Sequence, residues 1–472
     1  MVRKFFKDSI IYTIPAFVSR GISVILAPLY MQVLSPTDYG SLDLLLVFEV
    51  IVHLTIALEV SQGVARYFST ETDPIRKVEY ASSAFWFTII TYSVFAIIMY
   101  LSAPLLADLI MGQSGLELAF RIGVINICAS GLLYAIQNQL RWELRSLHYA
   151  AISLFSSIST TIFSFYFALF LEWKLIGLLL GMTVGSILSN VIGLWFVRGS
   201  IKFIFSTKRL QEMLMFSVPL VFSGIVVWIN SYSDRLMINH FLSTHEVGLY
   251  GIGYRLSSTV SLVIAGFQLA LTPIVYTNSQ NPDTPIQVNR IFRWFAMLVL
   301  LCWLTLATFS REILKLIAPS IYIDSSSVVP YLVVAIFLSE MYVFAPGVFL
   351  AKKTHLVFLI NLGTSLLNVI LNYLLIPLFA IEGASIATML SSLFLFSSYV
   401  VIGQGFYRIP YEWPAIFLTT SFTLLITLLL SYLEINIFIS YILTIASLAT
   451  LSIETGLIKR SEIAAASRFL NR

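Results

Sequence analysis

Ten ionisable side chains stand within, or near the ends of, long apolar stretches: Arg20, Asp43, Glu49, His53, Glu59, Arg121, Asp234, Arg235, Arg255 and Glu340. A charge at mid-membrane costs about 2.5–3.5 kcal/mol even on the milder insertion scale, so such groups face a watery cavity or a partner and are candidates for a site. Two chemistries fit these residue types. Arginine presents a planar fork of donors that matches phosphate. A carboxylate and an imidazole four residues apart share a helix face, and histidine titrates near neutral pH, so Glu49 and His53 can relay a proton or hold a cation. Arg20, Arg66, Arg121 and Arg255 are therefore the candidate anion ligands. Glu49, His53, Glu59, Asp234 and Glu340 are the candidate ion-coupling groups.

Each has a plainer alternative. Arg20 sits half-way along its stretch, with Gly21 and Pro28 after it, and would otherwise pair with Glu49 or Glu59. Arg66 is an anchor at a span end, and Arg121 snorkels to the interface. Asp234 and Arg235 are a local pair or a gate, and Arg255 pairs with Asp234 or Glu340. Glu49, His53 and Glu59 are polar glue between helices.

The elements that position these groups follow from composition. Of 472 residues, 58% are hydrophobic and 11% charged, against about a quarter charged in a soluble domain. The apolar runs reach the roughly 20 residues needed to cross a bilayer. The fold expected is an all-α polytopic membrane protein of about 14 transmembrane helices. The spans centre on 10–34, 41–65, 81–103, 118–140, 148–171, 175–197, 212–240, 247–276, 290–309, 328–350, 355–378, 383–403, 413–432 and 436–457. Cys128 and Cys302 fall inside such runs and read as packing residues.

The chain repeats itself. Pro15 and Ser19 match Pro219 and Ser223 at a shift of 204; Leu34, Ser35, Asp38 and Gly40 match Leu242, Ser243, Glu246 and Gly248 at a shift of 208. Two pseudo-symmetric six-helix lobes, 1–204 and 205–405, and a C-terminal addition of two helices with a basic tail, 406–472, are expected. Lobes with an even span count enter the membrane from the same side and are related by an axis along its normal. The counterpart of Arg20 is Gly224, so that charge belongs to the first lobe alone. With the N-terminus inside, 21 of the 28 basic residues lie on the cytoplasmic side, and only Lys174, Arg311 and Lys315 on the other. The bias favours both termini in the cytoplasm.

No Walker A lysine motif, dinucleotide glycine fingerprint, His-Glu-x-x-His or Gly-x-Ser-x-Gly elbow is present. The expectation is a protein that is not an enzyme, with no cofactor, no metal and no nucleic-acid partner. Any uphill transport would run on an ion gradient or on the substrate's own gradient.

Val18-Ser-Arg-Gly21, the loop Val33-Leu-Ser-Pro-Thr-Asp-Tyr-Gly40 and its echo Leu242-Ser-Thr-His-Glu-Val-Gly248 resemble the polysaccharide transporters of the MOP exporter superfamily, the Wzx-type O-antigen flippases. The resemblance runs over essentially the whole chain. It implies two lobes around a cavity, alternating access in a bacterial cytoplasmic (inner) membrane, and a substrate made of an oligosaccharide on undecaprenyl pyrophosphate, an O-antigen or other surface polysaccharide unit. Membrane lipid and the polysaccharide polymerase machinery are the partners it implies. Arg20 matches the cavity arginine that related flippases carry on their first helix, whereas Arg121 and Glu340 have no firm match. The alternatives are a lipid II-type flippase, a MATE-like cation exporter, which would need an acidic cavity, and a membrane glycan polymerase, which would need a larger external loop than 309–328.

Overall fold

The structure is a computed structural model that describes residues 28–433, 435–459 and Glu462, together with Pro15, Val18, Gly21 and Ile22. The described residues form helices and no strands. Arg20, most of the expected first span and most of the basic C-terminal tail lie outside them. Among the described residues, eleven helices are long and apolar enough to cross a bilayer, or twelve when the bent pair described next is one span.

That pair is α1 (Pro36–Thr55) and α2 (Val60–Thr70), which meet at 44°. The break is made by Leu58 and Glu59, both at φ 50°, a left-handed conformation that costs a side-chain-bearing residue of order 1–3 kcal/mol. The rest of the expected span 2 is as the sequence suggests. Ser35 caps α1 by accepting from the Asp38 amide at 3.1 Å, and Asp38 accepts from the Ser35 amide at 3.3 Å, with Pro36 at the first turn. This reciprocal cap gives the Leu-Ser-Pro-Thr-Asp-Tyr-Gly loop its chemistry. In the echo, the Glu246 amide donates to Ser243 at 3.3 Å.

Next come α3 (Pro74–Leu101), the short α4 (Ala103–Met111), α5 (Glu117–Trp142), α6 (Ser146–Phe165), α7 (Lys174–Val197), α8 (Thr207–Phe241) and α9 (Thr244–Ser257). Then follow α10 (Ser261–Thr277), α11 (Thr284–Ile317), α12 (Val329–Glu340), the single turn α13 (Gly347–Leu350), α14 (Thr354–Gln404), α15 (Trp413–Tyr432) and α16 (Ile437–Glu454). The expected span 247–276 is interrupted by a 3-10 turn at Ser258–Val260. The 51-residue α14 breaks at Ala380 (φ 51°), between the expected spans 355–378 and 383–403. At 1.5 Å per residue it would reach about 75 Å, more than twice a bilayer core. Fourteen spans remain a reading of the sequence, since the first lies mostly beyond the described residues.

The chain forms two compact units. The first takes Met1–Ile252, Ala318–Tyr322 and Asn372–Ile381; the second takes the remainder. These units cut the chain elsewhere than the repeat boundary expected at 204/205, because α8 packs along α1, α2 and α3. In the first unit, Val60, Val64, Phe68, Tyr80, Ala81, Ala84 and Met213 make one core, and Phe85, Leu133, Ile136, Leu140, Ile152 and Val197 another. Helices α6 and α7 approach until backbones touch. A Cβ at Gly177 would fall 2.5 Å from the Phe167 carbonyl oxygen, one at Gly185 2.5 Å from the Thr160 amide, and one at Gly181 would overlap Ser164. Three glycines at four-residue spacing make a small-residue face, as in close helix pairs in membranes. In the second unit, aromatic residues such as Phe292, Phe295, Phe337, Phe344 and Phe396 fill the core.

Candidate functional site

The chemistry-bearing residues of the first unit fall on α1 and the helices against it, in three clusters. The first lies at the start of α1. Arg235 of α8 donates through Nε to Asp43 at 3.0 Å and through Nη1 to Asp234 at 3.0 Å and to the Ser231 carbonyl at 3.2 Å. The Tyr250 hydroxyl donates to the other oxygen of Asp234. The Arg235 guanidinium lies 5.5 Å from the ring centres of both Tyr232 and Tyr250. The Arg235 and Asp234 side chains are 4% exposed and Asp43 17%. One cation thus serves two carboxylates, and Asp43 ties α1 to α8 across 192 residues. Beside it the two repeats cross. A Cβ at Gly40 would meet the Thr244 carbonyl and the Gly248 amide, and one at Gly248 the Pro36 carbonyl and the Gly40 amide. Gly112 ends α4 at φ 69° and accepts from Thr244 Oγ1 at 2.7 Å, and Tyr322 donates to the Leu34 carbonyl at 2.9 Å. This end of the first unit is sealed by backbone contact and buried charge.

The second cluster lies midway along α1. Ser130 of α5 donates to Glu49 Oε1 at 2.5 Å and lies 3.1 Å from His53 Nε2. His53 Nε2 is 3.2 Å from the Ile127 carbonyl and 3.7 Å from Glu49. The Tyr92 ring packs edge-on to the imidazole, with centroids 6.1 Å apart. Glu49 and His53 share a face as their spacing requires, and Ser130 bridges them. Nothing in the sequence singles out Ser130 among the serines of the apolar helices.

The third is the break. Glu59 caps α2 from its left-handed position, and its Oε2 is buried with no hydrogen-bond partner among the described residues. Past it, Arg66 is exposed on α2, its guanidinium 4.7 Å from the centre of the Phe216 ring.

The other sequence candidates are placed as follows. Arg121 lies 3.9 Å from Glu117 and 5.0 Å from the Tyr100 ring centre, a local arrangement at the start of α5. Asp234 has Arg235 and Tyr250 as partners, the local pair of the two sequence readings, extended to Asp43. Arg255 belongs to the second unit, half-buried in the last turn of α9. Glu340, also in that unit, accepts from Gln268 Nε2 at 2.9 Å.

The second unit also carries an open-sided apolar cavity of about 710 Å³ between α11, α12, the latter part of α14 and α15, walled by Phe292, Trp303, Phe337, Met341, Phe396 and Trp413. The sequence supplies its aromatics but no pattern by which they could be grouped.

Residues 30–327 match the sequence profile of a family described as "Polysaccharide biosynthesis protein". The chain is 22% identical over 308 residues to the Lsg locus putative protein 1 of Haemophilus influenzae, covering 63% of this chain and 72% of that protein. Among solved structures, the lipid II flippase MurJ in an inward closed conformation is similar at a TM-score of 0.74 and 17% identity, over 98% of this chain and 100% of MurJ. An inward-facing multidrug resistance MATE family transporter of the MOP superfamily is similar at 0.69 and 13% identity, over 82% and 94%. At these identities the two likenesses establish a shared fold.

Proposed function

This chain belongs to the polysaccharide biosynthesis protein family, and from that premise we propose that it flips an undecaprenyl-pyrophosphate-linked oligosaccharide, a surface polysaccharide unit, across a bacterial inner membrane by alternating access. The family match is the observation that carries this reading. The chemistry of the residues supports it. A pyrophosphate entering a low-dielectric space needs cations that bind in a bidentate way, and arginine supplies them. Arg66 is exposed and touches only an aromatic face among the contacts seen, so its donors are open to a ligand. Arg255 and Arg20 are the further ligands in this reading, and Arg121, held beside Glu117, contributes least. The apolar cavity of the second unit suits a hydrocarbon chain, whose burial gains about 0.8 kcal/mol per CH₂. Glu49, His53 and Ser130 form the ion-coupling group, with Glu59 at the helix break; Asp234 serves the seal and Glu340 stays a candidate. The seal faces outward and both termini lie in the cytoplasm, as the basic-residue bias favours. The repeats 1–204 and 205–405 are the moving halves. A lipid II-type flippase, an alternative that shares the fold, differs in the head group it carries.

Depletion of the protein in its host, with mass spectrometry of polyprenyl-linked glycans and a leaflet assay, tests this. The expected result is a unit of one mass accumulating on the cytoplasmic leaflet, with surface polysaccharide lost. Complementation by Arg66→Ala or Arg255→Ala should fail at normal protein level. Accumulation of a lipid II mass selects the alternative head group. Unchanged lipid-linked glycans refute the flippase reading.

A further inference from the structure

Arg293 counts, by sequence, among the basic residues at span ends, yet its side chain is only 3% exposed. It stands near the start of α11 and gathers the end of the chain. Nη2 donates to Glu462 Oε1 at 2.6 Å, and Nη1 donates to the carbonyls of Gly456 and Leu457, both at 3.2 Å. Glu412, the residue before α15, is 3.6 Å away. Two flanking cations complete the group: Arg290 is 3.3 Å from Glu462, and Lys459 is 3.0 Å from Glu412. α11, the start of α15 and the segment after α16 meet at this guanidinium. The residues next to Arg293 and Glu412, Phe292 and Trp413, pack ring against ring and line the apolar cavity. A second tie between α11 and the α15–α16 hairpin lies 12–16 residues further on, about 18–24 Å along the helix. There Thr305 and Tyr441 hydroxyls are 2.7 Å apart, and Phe309 packs on Tyr441 and Phe438. The α11 residues Val299, Leu300 and Trp303 of the cavity wall lie between the two ties.

We propose that Arg293 and Glu462 form a clasp that fixes the width of this cavity, and that they are positioning residues for the hydrocarbon chain held there. The identity of the occupant rests on the flippase reading; the clasp does not. A buried ion pair contributes little net stability over an apolar equivalent, but it accepts one geometry and rejects others. Apolar contact alone would let α15 slide along α11, whereas a guanidinium with four acceptors does not. With the clasp broken, the hairpin pivots on the Thr305–Tyr441 tie and the end of the cavity near Phe292 and Trp413 widens.

The test uses the full chain with Cys128 and Cys302 replaced by Ser and spin labels at Ile286→Cys on α11 and Phe417→Cys on α15, both exposed. A polyprenyl phosphate carrying a diazirine on its last isoprene reports occupancy by labelling peptides that contain Trp303 and Thr420. In Glu462→Gln and Arg293→Gln the distance distribution broadens. Labelling of the wall falls about fivefold, the factor equivalent to 1 kcal/mol of binding. Lys459→Gln, which loosens only the exposed pair, gives a smaller broadening and serves if the buried variants do not fold. A distance distribution that stays at its wild-type width in every folded variant overturns the clasp. Wild-type protein that the probe leaves unlabelled, with the distance response intact, refutes the hydrocarbon occupant and upholds the clasp.

Discussion

Removing Arg235 is the sharpest perturbation of the seal. Arg235→Gln leaves two carboxylates, one 4% and one 17% exposed, with the Tyr250 hydroxyl and the amide of residue 235, at 2.8 Å, still donating to Asp234. Breaking a buried ion pair from one side costs about 3–5 kcal/mol, because the partner charge stays behind. Asp43→Asn acts differently. It leaves Arg235 neutralised by Asp234 at 3.0 Å, and the new amide oxygen still accepts from Nε. Its cost should be about 1 kcal/mol, the difference between a charged and a neutral hydrogen bond. In the double variant the stranded charge at position 43 is gone, so the two changes should couple by about 1–3 kcal/mol. Unfolding titrations in mixed micelles measure all four corners of the cycle. Flipping assays on the same proteins should show Asp43→Asn altering rate more than stability, since it loosens the α1–α8 contact without orphaning a charge. Arg235→Gln within about 1 kcal/mol of wild type, or a coupling below about 0.5 kcal/mol, would refute the claim that this network holds the seal.

Gly181→Ala should destabilise by about 1–3 kcal/mol, the cost of overpacking, because the added carbon meets the Ser164 backbone, which cannot swing away; Gly199→Ala, with nothing within 4 Å, should be neutral to within about 0.5 kcal/mol in the same unfolding assay. Glu49→Gln and His53→Gln should each abolish the gain in flipping rate that an imposed ion gradient gives in proteoliposomes, while Ser130→Ala, which removes only the bridge, should weaken it; an undiminished gain in Glu49→Gln would remove this cluster from ion coupling.

Much of the fold was legible because membranes restrict the choice. Apolar runs of bilayer length have to be helices, since only a helix satisfies its own backbone there. The turn before α1 was legible too: a Ser-Pro-x-Asp cap is a local device, complete within four residues. The breaks were not. Leu58 and Glu59 carry no glycine or proline, so the left-handed turn between α1 and α2 is imposed by packing, which a local pattern does not record. The site divided along the same line. The proximity of Glu49 and His53 was legible because four residues on one helix settle it. Asp43 and Arg235, 192 residues apart, offered no such rule, and each could be recognised only as an expensive charge in want of a partner. Arg293 was harder still, because a buried clasp and an interfacial anchor look the same at a span end.

The crossing of the repeats explains why the charge on α1 has no copy. At the shift of 208, Gly40 answers to Gly248 and Pro36 to Thr244, and each glycine meets the other repeat at the corresponding atoms. The contact is therefore reciprocal between α1 and α9. Three residues on, the equivalent pair is Asp43 and Gly251, and a Cβ at Gly251 would stand 3.2 Å from Asp43 Oδ2. Two side chains of that size do not fit side by side at such a crossing, and two carboxylates would repel. One repeat must give up its side chain, and glycine in the second is what lets the carboxylate of the first reach Arg235. The same shift sets Glu49 against Ser257, His53 against Ser261 and Glu59 against Phe267. A crossing whose backbone contacts are reciprocal thus has room for one side chain at this level, and that is why the buried carboxylate stands on α1 and a glycine stands opposite it on α9.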